Sequence, residues 1–325
     1  MKLKQKIENL NKSKILFTAG PASLIYSNVS NLKPCFGRGD LEYTDTYTRV
    51  LNKINKIAGN FKHITCNQGS GSLAIEIAAR NFVYGKVLVI NTGYYSDRIK
   101  LILQYIKNEN KKIISEINDI DWKNLNEVSG KYDWIFCCYT ETSVGLKLSA
   151  DDIKSLSRRT KAKIILDATG SIGLENNHNI ADVITFSSCK GLFGLTGASF
   201  ICFNSNPVNE INSFYLNINT HINKKNTGPY HTIYSLDKIL DNHKFYREAV
   251  VINKKKALYK WRDYLTQKNR NQPLLCTHIK KKLFAKSKRV ILYQPRVNIE
   301  GNIVCHLGEV HLGKNSKGKI LDYLS

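Results

Sequence analysis

The sequence predicts an α/β fold: an open, largely parallel sheet covered by helices on both faces, with a smaller α+β appendage at the C-terminal end. Three observations predict it. Apolar runs of strand length alternate with helical stretches between His63 and Arg159. Three further short strands, Lys163–Ala168, Asp182–Ser187 and Ala198–Phe203, follow with Gly-containing loops between them. At 325 residues, 42% hydrophobic and 23% charged, the chain is long enough to bury a full core and ordinary in composition for a globular protein. The expected organisation is an N-terminal segment (1–14), a large domain (15–243) and a short C-terminal domain (244–325).

Taken in order, Ile15–Phe17 reads as a short extended segment ended by the breaker Thr18, Ala19, Gly20, Pro21. From Leu41 to Ala58, Tyr47, Val50, Leu51, Ile54 and Ile57 recur at helical spacing, which predicts an amphipathic helix with a core-facing stripe. A strand from His63 then enters a Gly-Ser turn, Gly69 to Ser72, and a helix leaves it. Backbone N–H groups at such a helix start, with the hydroxyls of Ser70 and Ser72, form an anion cradle. The same turn matches a dinucleotide fingerprint (Gly69, Gly71, Ala74), which asks for an acidic residue ending the next strand. That strand, Lys86–Asn91, ends in Asn91-Thr92-Gly93, so the phosphate cradle survives and the dinucleotide reading weakens. A helix over 97–108, strands Ile113–Ile117 and Trp134–Thr140, and a helix over Ser149–Arg159 complete the βα rhythm. In the last third, Tyr230–Leu240 and Lys244–Tyr264 have helical periodicity, and Arg289–Tyr293 and Ile303–His306 read as strands.

Two residues at strand ends carry the chemistry. Asp167 closes the strand that begins at Lys163, and Lys190 stands just past the strand that ends at Ser187. Open α/β sheets place ligands at that edge. An Asp there is often a helix cap, and a Lys is often a surface residue. The pair in this order points to one cofactor, pyridoxal 5'-phosphate. It needs a Lys for its Schiff base and a carboxylate to keep its pyridine nitrogen protonated.

Net charge and cysteines narrow the alternatives. The formal charge of +23 is spread over the whole chain, and the most extended basic cluster, Lys280–Lys282 on to Arg289, accompanies no nucleic-acid motif. A solvated surface is favoured over a nucleic-acid partner. No apolar run reaches membrane-spanning length, and the basic N-terminus leads into no secretion signal, so a cytoplasmic protein with no membrane partner is expected. The eight cysteines form no CxxC pairs; they read as buried free thiols, and no metal site is expected.

The stretches GSGSLAIEIA, NTGYYSDR, TETSVG, DATGSIG and SSCKG, with the opening LFTAGPA, resemble in their order the class V aminotransferases, pyridoxal-phosphate enzymes of fold type I. The nearest likeness is to 2-aminoethylphosphonate–pyruvate transaminases and their alanine–glyoxylate relatives. It covers roughly Ile15 to Asn204. The resemblance implies that Lys190 holds the cofactor and shuttles a proton, and that Asp167 pairs with the pyridinium nitrogen. It implies that Tyr95 stacks on the ring, with Tyr94 the fallback, and that Ser70, Gly71, Ser72 and Ser187 hold the phosphate. Thr142 would lie near the ring hydroxyl or the Asp. Thr227 would complete the phosphate site of a neighbouring subunit, which implies a homodimer. The family's carboxylate-gripping Arg, in an RIG-like motif, has no counterpart here. Aligning on Gly308 puts His306 at its position, aligning on Gly308-Glu309-Val310 puts Ile303 there, and Arg296 and Arg38 are the substitute cations for substrate binding.

Three function classes follow. The first is an aminotransferase moving an amino group from a small donor such as 2-aminoethylphosphonate to a keto acid such as pyruvate. The second is a lyase or other non-transaminating enzyme on the same scaffold. The third, disfavoured by the Lys190 and Asp167 pair, is a non-catalytic or nucleic-acid-binding protein.

Overall fold

The computed structural model describes residues 2–20, 24–312 and 318–325. Pro21 and Ala22 of the opening motif lie outside them. In chain order the strands are β1 (Ile15–Phe17), β2 (His63–Gln68), β3 (Gly85–Asn91), β4 (Ile114–Asp121), β5 (Trp134–Cys138), β6 (Thr140–Glu141), β7 (Leu146–Lys147), β8 (Lys163–Asp167), β9 (Val183–Ser187), β10 (Ala198–Phe203), β11 (Cys276–Ile279), β12 (Val290–Leu292) and β13 (Asn302–Cys305). The helices are α1 (Leu3–Lys12), α2 (Tyr26–Val29), α3 (Leu41–Ala58), α4 (Gly71–Phe82), α5 (Tyr94–Glu109), α6 (Ala150–Thr160), α7 (Ile218–Ile222), α8 (Tyr230–Asp241) and α9 (His243–Lys260).

Seven strands form the central sheet in the order β2-β10-β9-β8-β5-β3-β4, and β10 alone runs against the others. Its two faces feed two cores. Val50 and Ile54 of α3 meet Ile184, Phe186 and Phe200 on one side, while Ala74 and Ala78 of α4 and Ile99 and Leu103 of α5 meet Val89, Ile165 and Ile201 on the other. Coverage of both faces explains why β5, β9 and β10 are buried at every position instead of alternating.

Helix boundaries follow local chemistry. The helix expected over Leu41–Ala58 is α3, capped by the Asp40 carboxylate accepting from the Tyr43 N–H at 3.1 Å and stopped by Gly59 at a φ of 112°. Ser149 caps α6 by accepting from the Asp152 N–H. Helix α5 begins at Tyr94, earlier than the acidic Asp97 suggested. Its first turn is fixed by Gly93, whose φ of 143° suits no other residue, and by a carboxylate from another strand.

The strand expected to open the large domain goes elsewhere. β1 pairs in parallel with β12, Ile15 opposite Val290, and Ile15 and Phe17 pack with Ala257, Trp261, Val304 and Ile320. A three-residue strand cannot stand alone, and burying Phe17 completely stabilises it by roughly 2 kcal/mol. Nearby, β11 and β13 pair antiparallel, and α9 packs on β11. The N-terminal strand therefore ties the C-terminal region to the loop, Thr18 to Gly20, that approaches Lys190.

Candidate active site

Strand register brings the polar residues of the sheet edge together. Asp167 lies opposite Thr185, Ser187 opposite Ser199, and Ser199 opposite Asn67. Pleat alternation sets Asp167, Ser187, Ser199 and Asn67 on one face, with Ile165, Val183 and Ile201, the face that α4 covers. Ser70 is the extended N-cap residue of α4 and Gly71 its first helical residue, so the free N–H groups of the first turn open beside this row. Ser70 is exposed, Ser72 half-buried and Ser187 buried.

Asp167 is almost fully buried, and its Oδ1 accepts the Thr169 N–H at 2.9 Å. Its other oxygen lies 3.8 Å from a guanidinium nitrogen of Arg98. That ion pair is long, so the carboxylate keeps lone pairs for a second partner. The Arg98 guanidinium also stands 4.8 Å from the centre of the Tyr95 ring. Tyr95 and Arg98, three positions apart on α5, share one helix face. The Lys190 amine is 5.6 Å from the centre of the same ring. Lysine, ring, arginine and aspartate thus form one contiguous cluster. Gly20 presses on the Lys190 stem, since a Cβ there would sit 2.9 Å from the lysine Cγ.

The loop after β5 supports α5 from below. Glu141 is wholly buried and accepts from the N–H groups of Tyr95 (3.0 Å), Ser96 (3.3 Å) and Ser143 (3.2 Å), from the Ser143 hydroxyl, and from Thr92 Oγ1 at 3.3 Å. Burial pushes its carboxyl up, against these donors, which favour the charged form. Glu141 therefore fixes the turn that aims Tyr95. Next to it, Thr142 is buried with its hydroxyl free of a well-formed partner, as are Thr140 Oγ1, Thr169 Oγ1 and Arg98 Nε. Buried polar atoms normally find partners, so this concentration of unpartnered ones marks a place prepared for a polar guest.

The other predicted residues fall in two places. Arg296 reaches the mouth of the cluster, its guanidinium 3.5 Å from the Tyr94 hydroxyl and 5.4 Å from the Tyr94 ring centre. Arg38 and the segment flanking Thr227 lie together elsewhere. Arg38, Asn226, Gly228, Tyr43 and Tyr230 line a small cavity that includes neither Lys190 nor Asp167, and Thr227 itself is exposed. The structure removes His306 from the substrate-binding set. It has no exposed surface, its Nε2 is 2.9 Å from Thr277 Oγ1, and burial, aided by Lys254, lowers its pKa to about 3. It is a neutral histidine inside the C-terminal core, because both faces of the short β11–β13 sheet are covered.

Three contributors escape motif reading. Arg98 had a signal in its spacing from Tyr95 behind a strand-end glycine. Glu141, which reads as a turn residue, had none beyond its place at a strand end. Tyr293, which meets Tyr95 and Thr142 from the far side of the site, had none at all. The eight cysteines are free, and Cys66, Cys137, Cys138, Cys202, Cys276 and Cys305 are buried. Among the described residues no cluster suits a metal ion, and no helix is long and apolar enough to cross a membrane.

No model of a known protein family matches the chain. In sequence it is similar to the 2-aminoethylphosphonate–pyruvate transaminase of Burkholderia thailandensis, 26% identical over 205 residues, 60% of this chain and 56% of the relative. It is similar to the same extent to a bifunctional phosphonoacetaldehyde hydrolase/aminoethylphosphonate transaminase of Clostridioides difficile, over 60% of this chain and 33% of that one. The chain spans about half the length, or less, of these curated relatives. Among solved structures it superposes on a ureidoglycine–glyoxylate aminotransferase from Bacillus subtilis, with a TM-score of 0.72 and 14% identity over 95% of this chain and 92% of the other. It also superposes on a pyridoxamine–pyruvate aminotransferase from Mesorhizobium loti, with a TM-score of 0.72 and 17% identity over 91% and 87%. The chain has the type I aminotransferase fold expected from its motifs, and its sequence kinship runs to aminoethylphosphonate transaminases.

Proposed function

We propose that this protein is a pyridoxal-phosphate-dependent aminotransferase that takes an amino group from a small donor bearing an anionic group, such as 2-aminoethylphosphonate, and passes it to a keto acid such as pyruvate. The observation that carries the reading is the convergence of Lys190, Tyr95 and the buried Asp167 beside the open N-terminus of α4. The residues present fit the cofactor. A helix start with a glycine at its first position suits a phosphate, and a Cβ on Gly71 would crowd Thr169 Oγ1 at 2.8 Å. The unpartnered hydroxyls of Thr142 and Thr169 suit a polar ring.

When bound, pyridoxal phosphate supplies a ring that withdraws electrons from the substrate carbon. The chain's own residues do the rest. Asp167, almost fully buried, would be the carboxylate that holds the proton of the ring nitrogen. Lys190 would hold the cofactor through its amine, and its Nζ would take and return the donor's carbon-bound proton. Tyr95 packs its ring against the cofactor, oriented by the Glu141 bonds to its helix turn. Ser70, Gly71, Ser72 and Ser187 bind the phosphate. Arg296 supplies positive charge at the mouth. Arg38 and Thr227, which stand apart from the cluster within one chain, serve a second subunit's site in a homodimer.

The test is the visible spectrum of the cofactor-loaded protein on adding 2-aminoethylphosphonate with no keto acid. A transaminase bleaches its lysine-bound cofactor band under these conditions, because the amino group stays on the cofactor. A band that survives this and other small amino donors points to a lyase or another non-transaminating reaction.

A further inference from the structure

Tyr293 follows β12, and its N–H donates to the Phe17 carbonyl at 3.0 Å, so the pairing of β1 with β12 fixes its place. Its ring packs against the cluster that contains Ala19, Phe193 and Cys305. Its hydroxyl is buried beside the hydroxyls of Tyr95 and Thr142, yet it forms no well-shaped hydrogen bond with either. Burial raises its pKa far above the ordinary tyrosine value, so it is a neutral donor at any working pH. Three positions on, Arg296 bonds weakly to the Tyr94 hydroxyl from the solvent side. One short segment therefore offers a buried hydroxyl with no well-formed bond inside the site and a cation at its mouth. His306, by contrast, is wholly buried, with its Nε2 on Thr277.

We propose that Tyr293 is a substrate-positioning residue, its hydroxyl donating to an oxygen of the donor's anionic group while Arg296 meets that group from outside. The proposal rests on the aminotransferase reading above. It makes the pocket selective for oxyanion-bearing amines, because a buried donor left unpaired by a plain amine disfavours that ligand.

The test titrates the cofactor-loaded protein, followed by its visible band, with 2-aminoethylphosphonate and with n-propylamine, in wild type and in Tyr293→Phe. The variant removes one oxygen and keeps the ring. A hydrogen bond to a charged group predicts a weakening of about tenfold to a hundredfold for the phosphonate and an unchanged or tighter value for propylamine, whose complex no longer leaves a buried donor unpaired. Tyr293→His, which retains a donor at that depth, restores part of the phosphonate affinity. Equal losses for both amines, or no loss for either, overturn the proposal. So does a band already displaced in Tyr293→Phe before any amine is added, which assigns the hydroxyl to the cofactor ring. If wild type itself forms no lysine-bound cofactor band, the aminotransferase reading falls and this proposal falls with it.

Discussion

The wall of the site made by the central sheet and the wall made by the C-terminal region are built by different means. Every residue on the first stands at a strand end or in the turn or helix that follows one: Asp167 ends β8, Lys190 follows β9, Tyr95 and Arg98 lie in α5 after β3, and Thr142 follows β6. Residues on the second are placed by pairing between the two ends of the chain, Ile15 with Val290. The first wall carries groups that would act on the cofactor. The second carries Tyr293 and Arg296, which meet Tyr95, Thr142 and Tyr94 and which we propose would meet the substrate. The proposed chemistry thus rests on local turn geometry, and the proposed substrate selection on long-range packing.

Substitutions on the two walls separate these roles. Asp167→Asn is expected to lower the half-reaction rate about 10²–10³-fold while leaving the preference among amines unchanged, because it removes charge from the ring nitrogen and touches no donor group. Single-turnover kinetics with two amines checks this. An equal shift in preference would mean that the two walls are not separable.

The next effect is on stability. His306 has a pKa of about 3 in the fold against an ordinary 6.5, so the unfolded chain binds a proton at pH values where the folded one does not. Its contribution is full above about pH 6.5 and is lost as the pH falls, amounting to about 2 kcal/mol at pH 5. His178, buried on the sheet side and held at about 4, behaves in the same direction. Thermal unfolding between pH 7 and 5 is expected to show a shallower acid loss in His306→Gln than in wild type. An unchanged slope would place His306 in contact with water.

The smallest effect separates binding from rate. Arg296→Ala is expected to raise the KM for an anionic donor about tenfold with little change in kcat, since the guanidinium is exposed and meets the hydroxyls of Tyr94 and Tyr95 rather than Lys190 or Asp167. Steady-state kinetics at two salt concentrations reads this. A fall in kcat with constant KM would instead place Arg296 in the chemical step.

The same contrast explains what could be read from the sequence. Strand ends, glycine turns and helix starts are local, so the βα order of the sheet, the strand-end places of Asp167 and Lys190 and the helix start at Gly71 were legible. The start of α5 was misjudged because its cap, Glu141, comes from a strand 46 residues away. Ile15–Phe17 was assigned to the sheet domain because nothing nearby reveals that its partner is Val290–Leu292. His306 was drawn into the substrate set by motif alignment, which reports a position along the chain and not its burial. Tyr293 has no local signature, and its place depends on that β1 pairing.

Reductive trapping with borohydride probes the bond between Lys190 and the cofactor itself. The protein is incubated with pyridoxal phosphate, treated with borohydride and digested, and the peptides are weighed. The account predicts one stoichiometric adduct, on Lys190, absent from Lys190→Ala. Labelling scattered over the many surface lysines, or unchanged in that variant, would contradict it.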